Sequence, residues 1–207
     1  STGNDADGGD AGANTGGGGG GAAHDSGVGG AGGSGIVIVR FLTSSQSSYS
    51  KSGGTASTIG SDTMIQWLSG SGSFTPNADG FGRVLIVGAG GSAGNGLGGA
   101  GAGAEVVEYT NFKFTANTQY NISVAGTTNQ GSGNESTQGN DGSDSSFGSQ
   151  TAKGGGKGYS RDVSNSQSSK PNQGGSGASS NNASLVIHDA NDKSSIQYSD
   201  SVSASGS

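Results

Sequence analysis

Few side chains in this 207-residue chain could do chemistry. Two histidines, His24 and His188, are the candidates for a general base, and Asp189 follows His188. A nucleophilic triad needs serine, histidine and acid brought together in space. In a chain this rich in serine, their nearness in sequence carries almost no information. Cysteine is absent, which excludes disulfides, thiolate metal ligands and a catalytic thiol. Carboxylates cluster twice, as Asp5, Asp7 and Asp10 and as Asp141 and Asp144. Such oxygens suit calcium, but neither cluster completes an EF-hand loop or a nonapeptide calcium repeat, so solvated acidic turns are expected. Residues 84–93, VLIVGAGGSA, imitate a dinucleotide fingerprint, with Gly88, Gly90 and Ala93 after an apolar run. Glu108 falls about 20 residues further on, where a ribose-binding acid would stand. The fingerprint needs a helix after its glycines, and GNGLGGAGAGA is a very poor helix former. No catalysis, cofactor or metal is expected.

The elements around these residues read as β. Val84 to Val87 is a continuous apolar run of strand length, expected to be covered on both faces. Phe112 and Phe114 share one face of the next extended segment, with Lys113 opposite; Tyr120, Ile122 and Val124 then alternate with Asn121 and Ser123. Residues 115–118, TANT, suit a hairpin turn, with Asn117 tolerant of left-handed geometry. Ile36 to Leu42, IVIVRFL, is a buried strand that cannot stand free and must complete a sheet. Residues 62–68 and 73–75 give two shorter strands around an SGSGS turn, with Trp67 a core or interface anchor, and 43–60 read as a connector. Two more strand-like pieces, 184–188 and 195–198, end the chain, and IQY near residue 197 repeats the IQW near residue 66.

Composition alone would point to disorder. Leu, Ile, Val and Phe total 30 residues against 46 glycines, but the apolar residues sit in tight clusters, which argues for an ordered β core in a glycine shell. No apolar run approaches the roughly 20 residues of a membrane span. A net charge of −6, with scattered basic residues, disfavours nucleic acid as a partner. The opening at Ser1, in a polar tract without Met or signal peptide, fits a processed or secreted segment. Residues 1–35 are either a flexible linker or packed polyglycine-II-like helices. Residues 126–183 pose the same choice, with only Phe147, Tyr159 and Val163 as apolar anchors.

Five blocks carry a resemblance: GGAGGSGIVIVRF at 29–41, VLIVGAGG at 84–91, GAGAEVVEYTNFKF at 101–114, TQYNISVAG at 118–126 and DGSDSSFGS at 141–149. Together they resemble the glycine-rich domain of phage tail-fibre and receptor-binding proteins and of some bacterial and environmental surface proteins. The resemblance implies a small β-scaffold whose glycine-rich loops bundle as polyglycine-II rods, closed by a GGSGIVIVRF-type last strand. Here that strand comes first, so the order is permuted, and the tract RDVSNSQSSKPNQ dilutes the later glycines.

The resulting expectation is an all-β protein, a small β-sandwich or jelly-roll-like scaffold with glycine-rich loops. It divides into a glycine-rich arm (1–35), an apolar strand donated to a neighbouring subunit (36–42) and a glycine-rich β-domain (43–207). Ile36, Val37, Ile38, Val39, Phe41 and Leu42 form the expected interface. The expected function is a non-enzymatic subunit of an extracellular or virion-surface filament, with itself as partner, head to tail. The alternative is a receptor-binding or adhesin module for a cell-surface glycan or protein, for which Phe147 and Tyr159 are the only loop aromatics. An ice-binding polyglycine bundle would need a stricter glycine period. Asn121, Asn134 and Asn182 match the N-glycosylation pattern; Asn134 and Asn182 are the loop candidates, while Asn121 lies mid-strand.

Overall fold

The computed structural model describes residues 6–23, 26–46, 48–96, 98–131 and 137–160, and the backbone of 185–187 and 196–198. The strands are β1 (Ile36–Leu42), β2 (Tyr49–Ser52), β3 (Thr55–Ile59), β4 (Asp62–Trp67), β5 (Gly70–Pro76) and β6 (Gly80–Val87). They continue with β7 (Val106–Phe114), β8 (Tyr120–Val124), β9 (Ser145–Phe147), β10 (Gln150–Ala152), β11 (Leu185–Ile187) and β12 (Ile196–Tyr198). Among the described residues the one helical element is a short 3-10 turn, Thr43–Ser45.

Two antiparallel five-stranded sheets form a β-sandwich. Their orders are β3-β4-β1-β6-β7 and β10-β9-β8-β5-β2. The period-2 alternation puts Val37, Val39, Phe41, Ile65, Trp67, Val84, Ile86 and Phe114 of the first sheet inward, against Phe74, Ile122, Val124, Phe147 and Ala152 of the second. Aromatic rings fill the centre. Phe74 and Phe114 meet edge-on at 5.4 Å, and Phe147 stacks on Tyr120 at 5.0 Å. The Trp67 ring is 1% exposed and donates its Nε1–H to the Ser52 carbonyl at 3.0 Å. Gly54 and Gly72 lie against that ring; a Cβ on Gly72 would approach Nε1 to 2.4 Å.

Several expectations change. Residues 43–60 are no plain connector: they hold β2 (YSKS) and β3 (TASTI), edge strands without apolar alternation, of which Tyr49 packs on the core. The 115–118 turn is tight, with Asn117 at φ +59°, but β7 and β8 belong to different sheets, so it is an arch between layers and not a hairpin. In the run Val84 to Val87, Val84, Ile86 and Val87 are buried, and only Leu85, on the outer face, is half-buried. Residues 145–152, read as loop, hold β9 and β10, and Phe147 is a fully buried core ring instead of a loop aromatic. No helix among the described residues is long and apolar enough to cross a membrane.

Against the sandwich packs a lattice of glycine-rich rods: 6–12, 16–23, 27–35, 88–96, 99–105, 137–143 and 153–160. Rod 88–96 shows the rule. Its amides at 88, 91 and 94 donate to Glu105, Ala102 and Gly99; those at 89, 92 and 95 to Ser143, Asn140 and Thr137; those at 90, 93 and 96 to Gly33, Gly30 and Gly27, all at 2.9–3.2 Å. Three neighbours, each met every third residue, is the signature of a helix with three residues per turn and no internal hydrogen bonds, the polyproline-II geometry. Its carbonyls accept from two further rods, through Gly19, Gly155 and Gly158. Rods so close leave no room for side chains: a Cβ on Gly90 would lie 1.9 Å from the Gly17 carbonyl oxygen. The chain reverses between the first two rods through Asn14 (φ +60°) and Gly16 (φ +65°).

Candidate assembly interface

β1 is the central strand of the first sheet. It pairs on one side with β4 (Val37 opposite Trp67, Val39 opposite Ile65) and on the other with β6 (Val37 opposite Ile86, Val39 opposite Val84). Val37 and Val39 are fully buried and Phe41 is 2% exposed, packed against Tyr49, Phe74 and Phe114 at 5.4–6.4 Å. Each such side chain contributes about 1.5–3 kcal/mol by leaving water. The other expected interface residues lie on the outer face: Ile36 and Ile38 are half-buried, and Leu42 is 46% exposed. Between them Arg40 donates Nε–H to Asp62 Oδ2 at 2.7 Å. The arm ahead of β1 joins the same body. Rod 27–35 bonds to 88–96, rod 16–23 to 99–105, and the Gly35 amide to the Ala125 carbonyl at 2.9 Å. Behind β1, buried Gln46 donates Nε2–H to the Ala78 carbonyl at 2.7 Å, which fixes the connection to β2.

The acidic clusters have a structural task that differs from the expected solvated turns. Asp7 and Asp10 accept from the Val28 and Ala31 amides at 2.9 and 2.7 Å; Asp144 and Asp141 accept from the Gly154 and Lys157 amides, both at 2.9 Å. Glu105 does the same for Lys153 at 2.9 Å. Each carboxylate satisfies a rod amide, as an N-cap side chain satisfies the first turn of an α-helix. The spacing of three between Asp7 and Asp10, and between Asp141 and Asp144, is one rod turn. That spacing was the readable signal. Among the described residues no group of three or more acidic or histidine side chains could hold a metal ion. Lys153 Nζ lies 2.7 Å from Asp144 Oδ2. That hydrogen bond, then the charge of Asp144, holds the ammonium above the ordinary lysine pKa against an opposing desolvation, with a lesser contribution from Glu105.

The dinucleotide-like motif is rod 88–96, with no helix after it, and Glu108 lies on β7, paired with Arg83 at 2.6 Å. On the outer face of the first sheet an open depression is lined by Arg40, Leu42, Asp62, Phe81, Arg83 and Asn111, with Phe81 56% exposed. Tyr159 lies on rod 153–160, with Lys157 Nζ 6.0 Å from its ring centre. Asn121 and Ser123 face solvent on β8. Asp5, His24, Asn134, Val163, Asn182 and His188 lie outside the described residues.

A sequence model described as the glycine-rich domain matches residues 66–206. The chain belongs to the glycine-rich domain family. No curated relative and no solved structure matches it significantly. The match begins inside β4, so β1 and the three rods ahead of it precede the glycine-rich domain block whose sheet and lattice they complete.

Proposed function

We propose that the protein is a structural, non-enzymatic subunit of an extracellular or virion-surface fibre, which grows when one copy donates β1 and its glycine arm to the next. One observation carries this reading: β1, the middle strand of the first sheet, comes from ahead of the block that supplies its neighbour β6 and the strand beyond it, β7. Such an arm makes the same contacts whether it fills its own body or a neighbour's, so exchange changes the connection at 43–48 and leaves the packing intact. Ladder hydrogen bonds and buried Val37, Val39 and Phe41 would make the joint tight and directional. Because the arm and its slot are different surfaces, the joint is heterologous and extends into a filament. The glycine lattice would give such a fibre a thin coat with its backbone amides already bonded. Light scattering and negative-stain microscopy of the full chain and of a chain lacking residues 1–42 test the reading. Filaments from the full chain that vanish on truncation are expected; a full chain that stays monomeric at high concentration rules donation out.

The depression beside Phe81 supports a second reading, a receptor-binding module for a cell-surface glycan. An exposed ring flanked by the Arg40–Asp62 and Arg83–Glu108 pairs offers a sugar both a stacking surface and planar hydrogen-bonding groups. Glycan-array binding that Phe81→Ala abolishes would favour this reading.

A further inference from the structure

The likeness of IQW in β4 to IQY in β12 extends to how the two strands are paired. β1 lies antiparallel to β4 with Val37, Ile38 and Val39 opposite Trp67, Gln66 and Ile65. β11 lies antiparallel to β12 with Leu185, Val186 and Ile187 opposite Tyr198, Gln197 and Ile196. Superimposed, the ladders agree position by position: three aliphatic residues on one strand, an aromatic, a glutamine and an isoleucine on the other. Gly-Gly-Ser-Gly stands ahead of both aliphatic strands, directly before β1 at 32–35 and, with seven residues between, before β11 at 174–177. The family block, 66–206, contains β11 and β12 but excludes β1. The block therefore carries its own strand of the β1 type, and this chain has two strands suited to one slot.

We infer that β11 is a plug for the slot between β4 and β6, filling it within its own chain whenever β1 has been donated to a neighbouring copy. The inference rests on the donation reading for its occasion, and on the two matched ladders for its geometry. In β1's register, Leu185, Val186 and Ile187 stand opposite Ile86, Leu85 and Val84. An empty slot would leave two strand edges unpaired, and bare edges recruit other chains without discrimination. It would also expose Ile65, Trp67, Val84 and Ile86, all now buried to within 1%. The plug is weaker than the strand it replaces. β11 pairs over three residues and β1 over six on each side, and the tract ahead of β11 lacks the long glycine runs that build the rods ahead of β1. An arriving β1 displaces it, so the end of a fibre stays protected yet open to growth. The 24 residues from 161 to 184 could span up to roughly 80 Å, ample to reach the slot.

Cysteine crosslinking tests this cleanly, because the chain has no cysteine of its own. In the full chain, Val37→Asp with Val39→Asp makes β1 unfit for burial, and Leu85→Cys with Val186→Cys reports β11 in the slot. After mild oxidation, non-reducing electrophoresis and circular dichroism are read together. The expected result is a folded chain whose 85–186 bond rises from undetectable with β1 intact to a majority of chains, at monomer mass. A chain that unfolds once β1 is disabled, one that folds without the 85–186 bond, or bonds formed only between chains would each overturn the plug. The donation reading is read separately, from Ile38→Cys with Leu85→Cys in the otherwise unaltered chain. If those bonds were confined to single chains, donation would fall while the plug result stood.

Discussion

The sandwich and the rod lattice share one chain but are held by opposite means. In the sandwich, side chains supply the cohesion: Trp67, Phe41, Phe74, Phe114 and Phe147 are buried to within 2% and fill the space between two sheets. In the lattice, the absence of side chains does. The rods bond through their backbones at 2.7–3.2 Å, and most rod glycines would drive a Cβ to within about 3 Å of a neighbouring backbone atom. One region loses stability when atoms are removed, the other when atoms are added. The low apolar content of the chain is therefore compatible with order, because its larger glycine fraction satisfies its amides without a hydrophobic core.

The largest expected effect is Trp67→Ala, which empties the centre of the sandwich and leaves the Ser52 carbonyl without its donor. It should cost about 3–5 kcal/mol, read from a urea unfolding midpoint. Gly90→Ala breaks the comparison from the other side. A single methyl placed 1.9 Å from the Gly17 oxygen should cost about 1–3 kcal/mol, whereas Gly126→Ala, where the methyl meets nothing within 4 Å, should leave the midpoint unchanged or slightly raised. If both glycine changes were equally mild, close rod packing would not be what orders the arm. Asp10→Ala removes a carboxylate from the Ala31 amide and should cost about 1 kcal/mol, the usual loss for a capping side chain. Faster amide exchange at Ala31, with the sandwich unaffected, is the specific sign. The smallest effect is the Lys153–Asp144 pair. Its lysine pKa is raised in the folded state, so its contribution is complete below the ordinary lysine value of 10.5 and fades as pH rises through the higher folded value. Midpoints compared on the two sides of that value should converge with those of Lys153→Met only at the alkaline end.

The sandwich was largely legible because its strands advertise burial by alternation. Ile36 to Leu42, Phe112 to Phe114 and Tyr120 to Val124 all lie where their period-2 pattern puts them. What escaped detection lacks that signal. β2 and β3 are short edge strands without apolar alternation, and three-residue β9 hid a core phenylalanine inside a tract that reads as loop. The arch at 115–118 has the residues of a hairpin turn, since turn chemistry fixes local geometry and not which layer the next strand joins. In the lattice the period is three, and glycine composition alone does not distinguish a rod from a linker. The carboxylates do, because Asp7 with Asp10 and Asp141 with Asp144 keep that period. β1 was legible as a strand, whereas whose sheet it completes depends on a connection of a few residues around Gln46.

The most direct measurement is the topology of one disulfide. In the full chain with Ile38→Cys and Leu85→Cys, the two positions face each other across β1 and β6, within the span a disulfide bridges. Oxidised at high protein concentration, the chain is expected to run as a ladder of multimers on a non-reducing gel, each bond joining one copy's β1 to the next copy's β6. A single band at monomer mass, unchanged by concentration, would mean that β1 never leaves its own sheet and would contradict the fibre.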